Sequence, residues 1–179
     1  MPTLDQHRWI TEHIPHRVRA ACARLPHLEQ SLLRVKAFID PSELKTEEEQ
    51  IYWRCATDAI WEGRLAVIRW LIEFVGVKQD NNGNPSEKKK GEKNVNDVLI
   101  NDFDGGSKLD LSTAEAKFLA NVWKGCSQAS SHATDGSNHP PVSDQEELPQ
   151  ALTIIVDHLQ NTIYGKANKN LRDFVLSLK

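Results

Sequence analysis

Apolar side chains recur every three or four positions along most of this chain, which is the spacing of one face of an α-helix. The first series predicts a helix over residues 5–24, and a second series predicts a helix over 27–39. Asp40 and Pro41 end the second helix, because the residue before a proline is pushed out of helical conformation. Both patterns are typical of helices that bury one face in a shared core.

The longest uninterrupted pattern runs from Thr46 to Val75. Thr46 and Glu49 have the spacing of a capping box, in which each side chain satisfies a backbone N–H of the first helical turn. The polar residues of this helix fall in a narrow stripe, formed by Arg54, Asp58, Glu62, Arg69 and Glu73. A helix with so much apolar surface must be buried on several sides. The pattern therefore predicts the central helix of a bundle, or a helix that also supplies a dimer interface.

Residues 78–94 carry no large apolar side group and combine Gly, Pro, Asn and Lys. Such a segment cannot recover its ordering entropy through burial, so the pattern predicts a mobile loop. The Lys88–Lys90 run is interpreted as a solvated loop tip, with phosphate contact as the alternative. A short helical turn is predicted near 95–103, ended by Asp104-Gly105-Gly106. No pair of strands is predicted anywhere in the sequence.

Two further helices are predicted in the second half of the sequence. Ser112 with Glu115 and Ser143 with Glu146 have capping-box spacing, and each pair precedes an apolar series. The apolar series of the later helix is Leu148, Leu152, Ile155, Leu159 and Ile163. Gly165 is expected to end it, and a short helix follows over 167–178. The sequence thus predicts an all-α single domain over residues 1–179, a bundle of about five to seven helices with a long central helix and a mobile polar loop at about 78–94.

Composition narrows the classes of function. The 179 residues carry a formal net charge of −3, which disfavours a strong non-specific nucleic-acid binder, since that affinity comes from many Lys and Arg. The N-terminal residues show no apolar core of a signal peptide. The three widely spaced cysteines have the pattern of buried thiols in a reducing compartment. We therefore expect a cytoplasmic protein that does not enter the membrane.

The segment from Lys124 to Val142 is the leading functional candidate. It reads KGCSQASSHATDGSNHPPV, so two histidines, a cysteine and many small polar residues interrupt strongly helical sequence. Loops that only connect two helices rarely contain so many residues of these types. The residues predicted to bind a partner are Ser127, Ser130, Ser131, His132 and His139.

Several chemistries compete for this segment. His132 is interpreted as an acid, base or nucleic-acid contact, or as a residue that hydrogen-bonds the last carbonyls of its helix. Cys126 with His132 as nucleophile and base is a weaker alternative. A loop could also gather metal ligands, namely His132, Asp135, His139 and Asp144. No paired-cysteine or HExxH motif supports that option, so neither a metal nor a cofactor is predicted. His158, at the edge of an apolar stripe, is expected to be a hydrogen-bonded residue at the rim of the core.

The order of an apolar helix, then K-x7-H within VWKGCSQASSHAT, then an amphipathic helix resembles the helical bundles of the HEPN superfamily. That resemblance implies a homodimer, a setting in mobile elements or host defence, and an R-x4-6-H motif that cuts RNA without metal. Here the motif is not intact, because the nearest preceding basic residue is Lys124, eight positions before His132, and lysine lacks the planar fork of arginine. The departure favours a non-enzymatic module that binds a protein or nucleic-acid partner. The alternative is a metal-independent ribonuclease that uses His132 and Lys124.

Overall fold

Helices make up most of the part of the chain that the structure describes. The computed structural model describes residues 5–22, 46–89, 91, 97–131 and 146–164. Its elements in sequence order are α1 (Gln6–Arg8), a π-helical turn (Trp9–His13), α2 (Ile14–Cys22), α3 (Glu47–Phe74), β1 (Val77–Gln79), β2 (Pro85–Glu87), a 3-10 turn (Ile100–Asp102), α4 (Ala114–Ser131), α5 (Glu147–Leu159) and a second π-helical turn (Gln160–Tyr164). The predicted helices at 27–39 and 167–178 lie outside the described residues.

The N-terminal helical region follows the sequence prediction closely. α1, the π-helical turn and α2 succeed one another without a break from Gln6 to Cys22. Pro15 is the second residue of α2, directly after the π-helical turn, and its missing N–H and its ring interrupt regular α-helical hydrogen bonding at this point. Ile14, Val18 and Ala21 are fully buried, which places the predicted apolar face in the core.

Helix α3 confirms the predicted central helix in its extent. It begins at Glu47, directly after Thr46, and ends at Phe74. The buried residues of its second half are Leu65, Ile68, Leu71, Ile72 and Phe74. Gly76 follows with a φ of 92°, and its N–H donates to the Glu73 carbonyl at 3.0 Å. A left-handed glycine after the last turn is a common helix stop, because it lets the backbone reverse without a Cβ clash.

The two-stranded sheet corrects the expectation that no strand pair is present. β1 and β2 pair antiparallel, with Val77 opposite Glu87 and Gln79 opposite Pro85. Only Val77 among these residues is fully buried, so the apolar pattern carried almost no signal for strands. The pair lies within the predicted polar loop, whose mobility stays a prediction.

The segment after the hairpin holds less helix than predicted. A single 3-10 turn, Ile100–Asp102, stands where a helical turn over 95–103 was expected, and residues 92–96 lie outside the described part. Asp102 accepts a hydrogen bond from the Leu99 backbone N–H at 3.0 Å. The break predicted at Asp104-Gly105-Gly106 is confirmed, because Gly105 has a φ of 74°.

One apolar cluster joins α2, α3, α4 and α5. Aromatic rings fill its edge, where Trp70 stacks on Phe74 with ring centroids 5.1 Å apart and Phe103 meets Phe74 edge-on at 5.7 Å. The α2–α3 contact also contains a buried arginine, since Arg64 donates through Nε to the Ala21 carbonyl at 2.8 Å. Trp70 therefore serves as a packing residue at the edge of the core.

Candidate functional site

Helix α4 carries the start of the candidate segment, and a polar turn sets where it begins. The hydroxyl of Thr113 accepts a hydrogen bond from the Ala116 backbone N–H at 3.2 Å, as an N-cap does. Ser112 was the predicted cap, and this prediction is wrong. Its N–H and hydroxyl both donate to the Asp110 carboxylate, at 2.9 and 2.8 Å. These two hydrogen bonds hold the pKa of Asp110 below its usual value.

The next helix, α5, begins at Glu147, and Glu146 at its N-cap position makes no side-chain hydrogen bond to the first helical turn. Ser143, the predicted partner of Glu146 in a capping box, lies outside the described residues, so that capping box stays a prediction. The apolar face is confirmed, since Leu148, Leu152, Ile155 and Leu159 are buried and Ile163 packs against them. Tertiary burial of this face is sufficient to set the helix without a cap.

Helix α4 packs one face into the core and leaves Lys124 and Ser127 at its border. Leu119, Val122 and Cys126 are buried, whereas Lys124 and Ser127 are half-buried. Lys124 and Ser127 are three residues apart, so they share one side of the helix. The hydroxyl of Ser127 donates to the Trp123 carbonyl at 2.8 Å.

The remaining predicted binding residues follow directly in the sequence. The backbone of α4 stays helical to Ser131, so Ser130 and Ser131 form its last two residues. Their side chains, and all of His132 and His139, lie outside the described part of the structure. The grouping of these residues into one binding site stays a prediction.

A polar cluster that the sequence did not reveal lies beside the centre of α4. Its hub is Glu73, near the end of α3. The Oε1 of Glu73 accepts a hydrogen bond from the indole N–H of Trp123 at 2.8 Å and pairs with Arg69 at 3.1 Å. Its Oε2 lies 3.5 Å from the ammonium of Lys88, which also pairs with Asp97 at 3.3 Å. The Glu73 cluster thus joins α3, α4, the end of the hairpin and the segment before the 3-10 turn.

Electrostatics keep Glu73 ionised. Burial by itself would raise its pKa, but the hydrogen bond from Trp123 and the charges of Lys88 and Arg69 outweigh that effect and hold the pKa below its usual value. The carboxylate is therefore charged at neutral pH, and the hydrogen bond that it accepts from the Trp123 indole ties α4 to α3 beside the buried apolar face of α4. Trp123 immediately precedes Lys124, so the Glu73 cluster orients the start of the candidate segment.

The position of Lys88 contradicts the interpretation of 88–90 as a solvated tip. The Lys88 side chain is only 5% exposed and lies between two carboxylates, and its backbone N–H donates to the Gly76 carbonyl at 2.9 Å. The neighbouring Lys89 is exposed. A lysine buries its ammonium only where opposite charges compensate the loss of water, and those charges come from residues distant in sequence.

The polar stripe of α3 is likewise not all solvent-facing. Arg69 and Glu73 lie in the contact with α4, and the Arg69 guanidinium stands 5.4 Å from the centre of the Trp123 ring. The sequence shows that Arg69 and Glu73 are four positions apart on one helix, but it does not show that both contact Trp123. The sequence places Trp123 on one predicted helix and Glu73 on another, but nothing in it shows that these two side chains meet.

Cys126 is unsuited to act as a nucleophile. It is fully buried, and burial raises the pKa of its thiol to about 12. A thiol with such a pKa holds almost no thiolate near neutral pH, and the thiolate is the reactive form. The Cys126–His132 alternative therefore loses support on the cysteine side.

His158 is a hydrogen-bonded residue at the rim of the core, as predicted. Its Nε2 lies 2.6 Å from the Ser107 carbonyl, so this nitrogen carries the proton and donates. Within the described ranges, no group of three or more His, Cys, Asp or Glu residues is arranged to hold a metal ion. His132, Asp135, His139 and Asp144 fall outside those ranges.

No protein-family model matches this chain, and neither a curated protein nor a solved structure shows significant similarity to it. Among the described helices, none combines the length and apolar character needed to cross a bilayer.

Proposed function

We propose that this protein is a non-enzymatic, HEPN-like helical interaction module that binds a protein or nucleic-acid partner through the segment from Lys124 to Val142. One observation carries the proposal. Helix α4 is packed along one face, the Trp123–Glu73 hydrogen bond ties it to α3, and it stays helical to Ser131. The segment therefore starts from a rigid base, and a preorganised binding surface loses less entropy when it meets a partner.

The chemistry at this base suits a polar or anionic partner surface. Lys124 is half-buried, and among the described carboxylates none lies within ion-pair distance of its ammonium. Lys88 and Lys108, by contrast, pair with carboxylates of the protein itself. Lys124 therefore has its charge available for a partner, together with the proposed contacts from Ser127, Ser130, Ser131, His132 and His139.

The metal-independent ribonuclease is the second candidate. It would use His132 as general acid or base and Lys124 to support a phosphate. On a helix continued by one residue past Ser131, Lys124 and His132 would differ by about 80° around the axis and about 12 Å along it. Because this separation is large for one phosphate group, we favour the binding module.

Structured RNAs incubated with the purified protein in EDTA separate the two functions. Cleavage that persists in EDTA and disappears in His132→Ala supports the ribonuclease and overturns our preference. RNA binding without cleavage, weakened in Lys124→Ala, supports the interaction module with a nucleic-acid partner. Lys117→Ala is the matched control, because Lys117 is an exposed lysine on the same helix but outside the segment.

Absence of both binding and cleavage would contradict an RNA partner. A protein partner is then tested with a photo-crosslinking residue at position 128, which lies one helical turn beyond Lys124 on the same face of α4. Crosslinked adducts from position 128, without adducts from position 117, support a protein partner that binds at this segment. Equal adducts at both positions count against the segment as the binding surface.

We also propose that the protein forms a single helical domain that assembles as a homodimer. Support comes from the one apolar cluster shared by α2, α3, α4 and α5, and from the exposed Ile51 near the start of α3, whose side chain is 54% exposed. A homodimer contact through this largely apolar helix would bury Ile51, so its exposed side chain marks the surface to test.

A further inference from the structure

The tip of the hairpin places an asparagine–glycine pair in an exposed, open turn. Residues 80–84 connect β1 to β2, and Asn82 is exposed to solvent. Gly83 follows in the left-handed region, with a φ of 85°. No heavy atom lies within 4 Å of the place that a Cβ on Gly83 would occupy. The side of Gly83 where a side chain would lie is thus open, and no neighbouring atom crowds this part of the turn.

We propose that Asn82 is a site of spontaneous deamidation, which gives the folded protein an age-dependent isoaspartate in this turn. The Gly83 backbone nitrogen loses its proton to solvent base and attacks the Cγ carbonyl carbon of Asn82. A new C–N bond forms, the bond from Cγ to the amide Nδ2 breaks, and ammonia leaves with a solvent proton. Water then opens the resulting five-membered imide at either carbonyl. The products are aspartate and isoaspartate, and no redox partner is needed.

The attacking nitrogen is only loosely held. The N–H of Gly83 donates to the Asp80 carbonyl at 3.2 Å, the long end of the usual range. Because that acceptor belongs to an exposed turn, water can replace it. The lack of a side chain on Gly83 removes the steric barrier that any other following residue would place before the attack.

Two neighbouring asparagines serve as internal controls. Asn81 is also exposed, but it precedes Asn82, whose side chain hinders attack by its backbone nitrogen. Asn84 precedes Pro85, and a proline nitrogen has no proton to lose and is already fully substituted, so no imide of this kind forms there. These exposed asparagines thus differ in the one feature that the reaction requires.

The modification acts on the bonds that shape the turn. The Oδ1 of Asp80 accepts the N–H groups of Asn82 and Asn84, at 2.9 and 2.8 Å. A new carboxylate at position 82 repels that of Asp80, and isoaspartate adds one carbon atom to the backbone between the strands. Since loop length fixes hairpin register, the pairing of Gln79 with Pro85 is lost first. The strain then extends toward Lys88 and its contact with Glu73.

The test follows the full-length protein over weeks at body temperature in mildly alkaline buffer. Once the aged protein has been unfolded, trypsin cuts after Lys78 and Lys88 and releases residues 79–88 as one peptide, in which fragmentation distinguishes the three asparagines. We expect the mass change of NH2 replaced by OH at Asn82, a much smaller fraction at Asn81 and none at Asn84. An endoprotease that cuts before aspartate but not before isoaspartate distinguishes the two products. Asn82→Gln should lose the signal, because its longer side chain disfavours the five-membered ring.

A parallel sample in urea shows how fast Asn82 is deamidated when the chain is unfolded, for comparison with the folded protein. If the unfolded protein converts at Asn82 over the same period while the folded protein does not, the turn protects this residue and the proposal is wrong. If the folded protein converts and its thermal midpoint stays at that of fresh protein, the modification occurs but the proposed weakening of the hairpin is overturned.

Discussion

At the scale of single residues, Glu73 holds together the polar cluster between α3, α4 and the hairpin. Replacing Glu73 by Gln removes the charge that compensates Lys88 and Arg69, although an amide oxygen can still accept from Trp123. We expect the free energy of unfolding to fall by about 2 kcal/mol, since the change leaves a buried ammonium with one carboxylate instead of two. Chemical denaturation measures this value. Glu12→Gln is the control, because the Arg8–Glu12 pair is more than half exposed and should matter little; equal losses would contradict the central role of Glu73.

The same residue predicts a pH dependence of stability. The pKa of Glu73 is lower in the folded protein than its unfolded value of about 4.3. Its contribution is therefore complete above that unfolded pKa and is lost as the pH falls through the folded pKa. We expect the stability difference between the unchanged protein and Glu73→Gln to stay constant near neutral pH and to shrink as the pH falls below the unfolded pKa and through the lower folded pKa. Urea titrations at several pH values provide the measurement, and a difference that stays constant into the acidic range would contradict it.

At the scale of elements, two glycines differ in whether the fold has room for a side chain at their position. A Cβ on Gly106 would overlap the Ile100 carbonyl oxygen, whereas one on Gly63 meets nothing within 4 Å. Gly106→Ala must displace the 3-10 turn and should lower the thermal midpoint clearly. Gly63→Ala lies within α3 and should stabilise the protein by up to about 1 kcal/mol, because alanine loses less backbone entropy in a helix. Calorimetry should show a lower thermal midpoint for Gly106→Ala and a higher one for Gly63→Ala. A change in the same direction for both variants would show that the close contact at Gly106 does not restrict the residue at this position.

The hairpin makes a prediction of its own about proteolysis. Trypsin must take a lysine side chain into its pocket, and Lys88 is held between Glu73 and Asp97 whereas Lys89 is exposed. We expect limited digestion to cut after Lys89 well before it cuts after Lys88. Mass spectrometry of the early fragments identifies the bond. The urea-unfolded protein should be cut after both residues, and early cutting of the folded protein after Lys88 would mean that the ion pairs open readily.

At the scale of the whole molecule, the open question is assembly. One copy has a mass of 20.2 kDa, and the proposed homodimer should scatter light as a particle of twice that mass at micromolar concentration. Ile51→Lys places a charge at the exposed position of α3 that is proposed for the contact, and it should shift the mass toward the monomer. A monomer at every concentration for the unchanged protein would remove the dimer and weaken the HEPN-like proposal with it.

Much of the helical architecture follows from the sequence alone. The spans of α2, α3 and α5 are close to those predicted, because helical spacing and burial of one face are local properties of a segment. The glycine stop at 105 is local for the same reason, since only glycine adopts a positive φ without strain. For the candidate segment, the sequence supplied the residues and the structure adds the helix that carries Lys124 and Ser127.

Tertiary structure alone decided the polar interior and the hairpin. Nothing near Lys88 in sequence marks it as buried, because its partners come from α3 and from Asp97. The hairpin has a single fully buried apolar residue, so its strands depend on contacts with α4, such as the 2.9 Å bond from Gln79 to Asn121. Apolar periodicity reports which face of an element is buried. It does not report which charge meets which, because that depends on how distant elements pack.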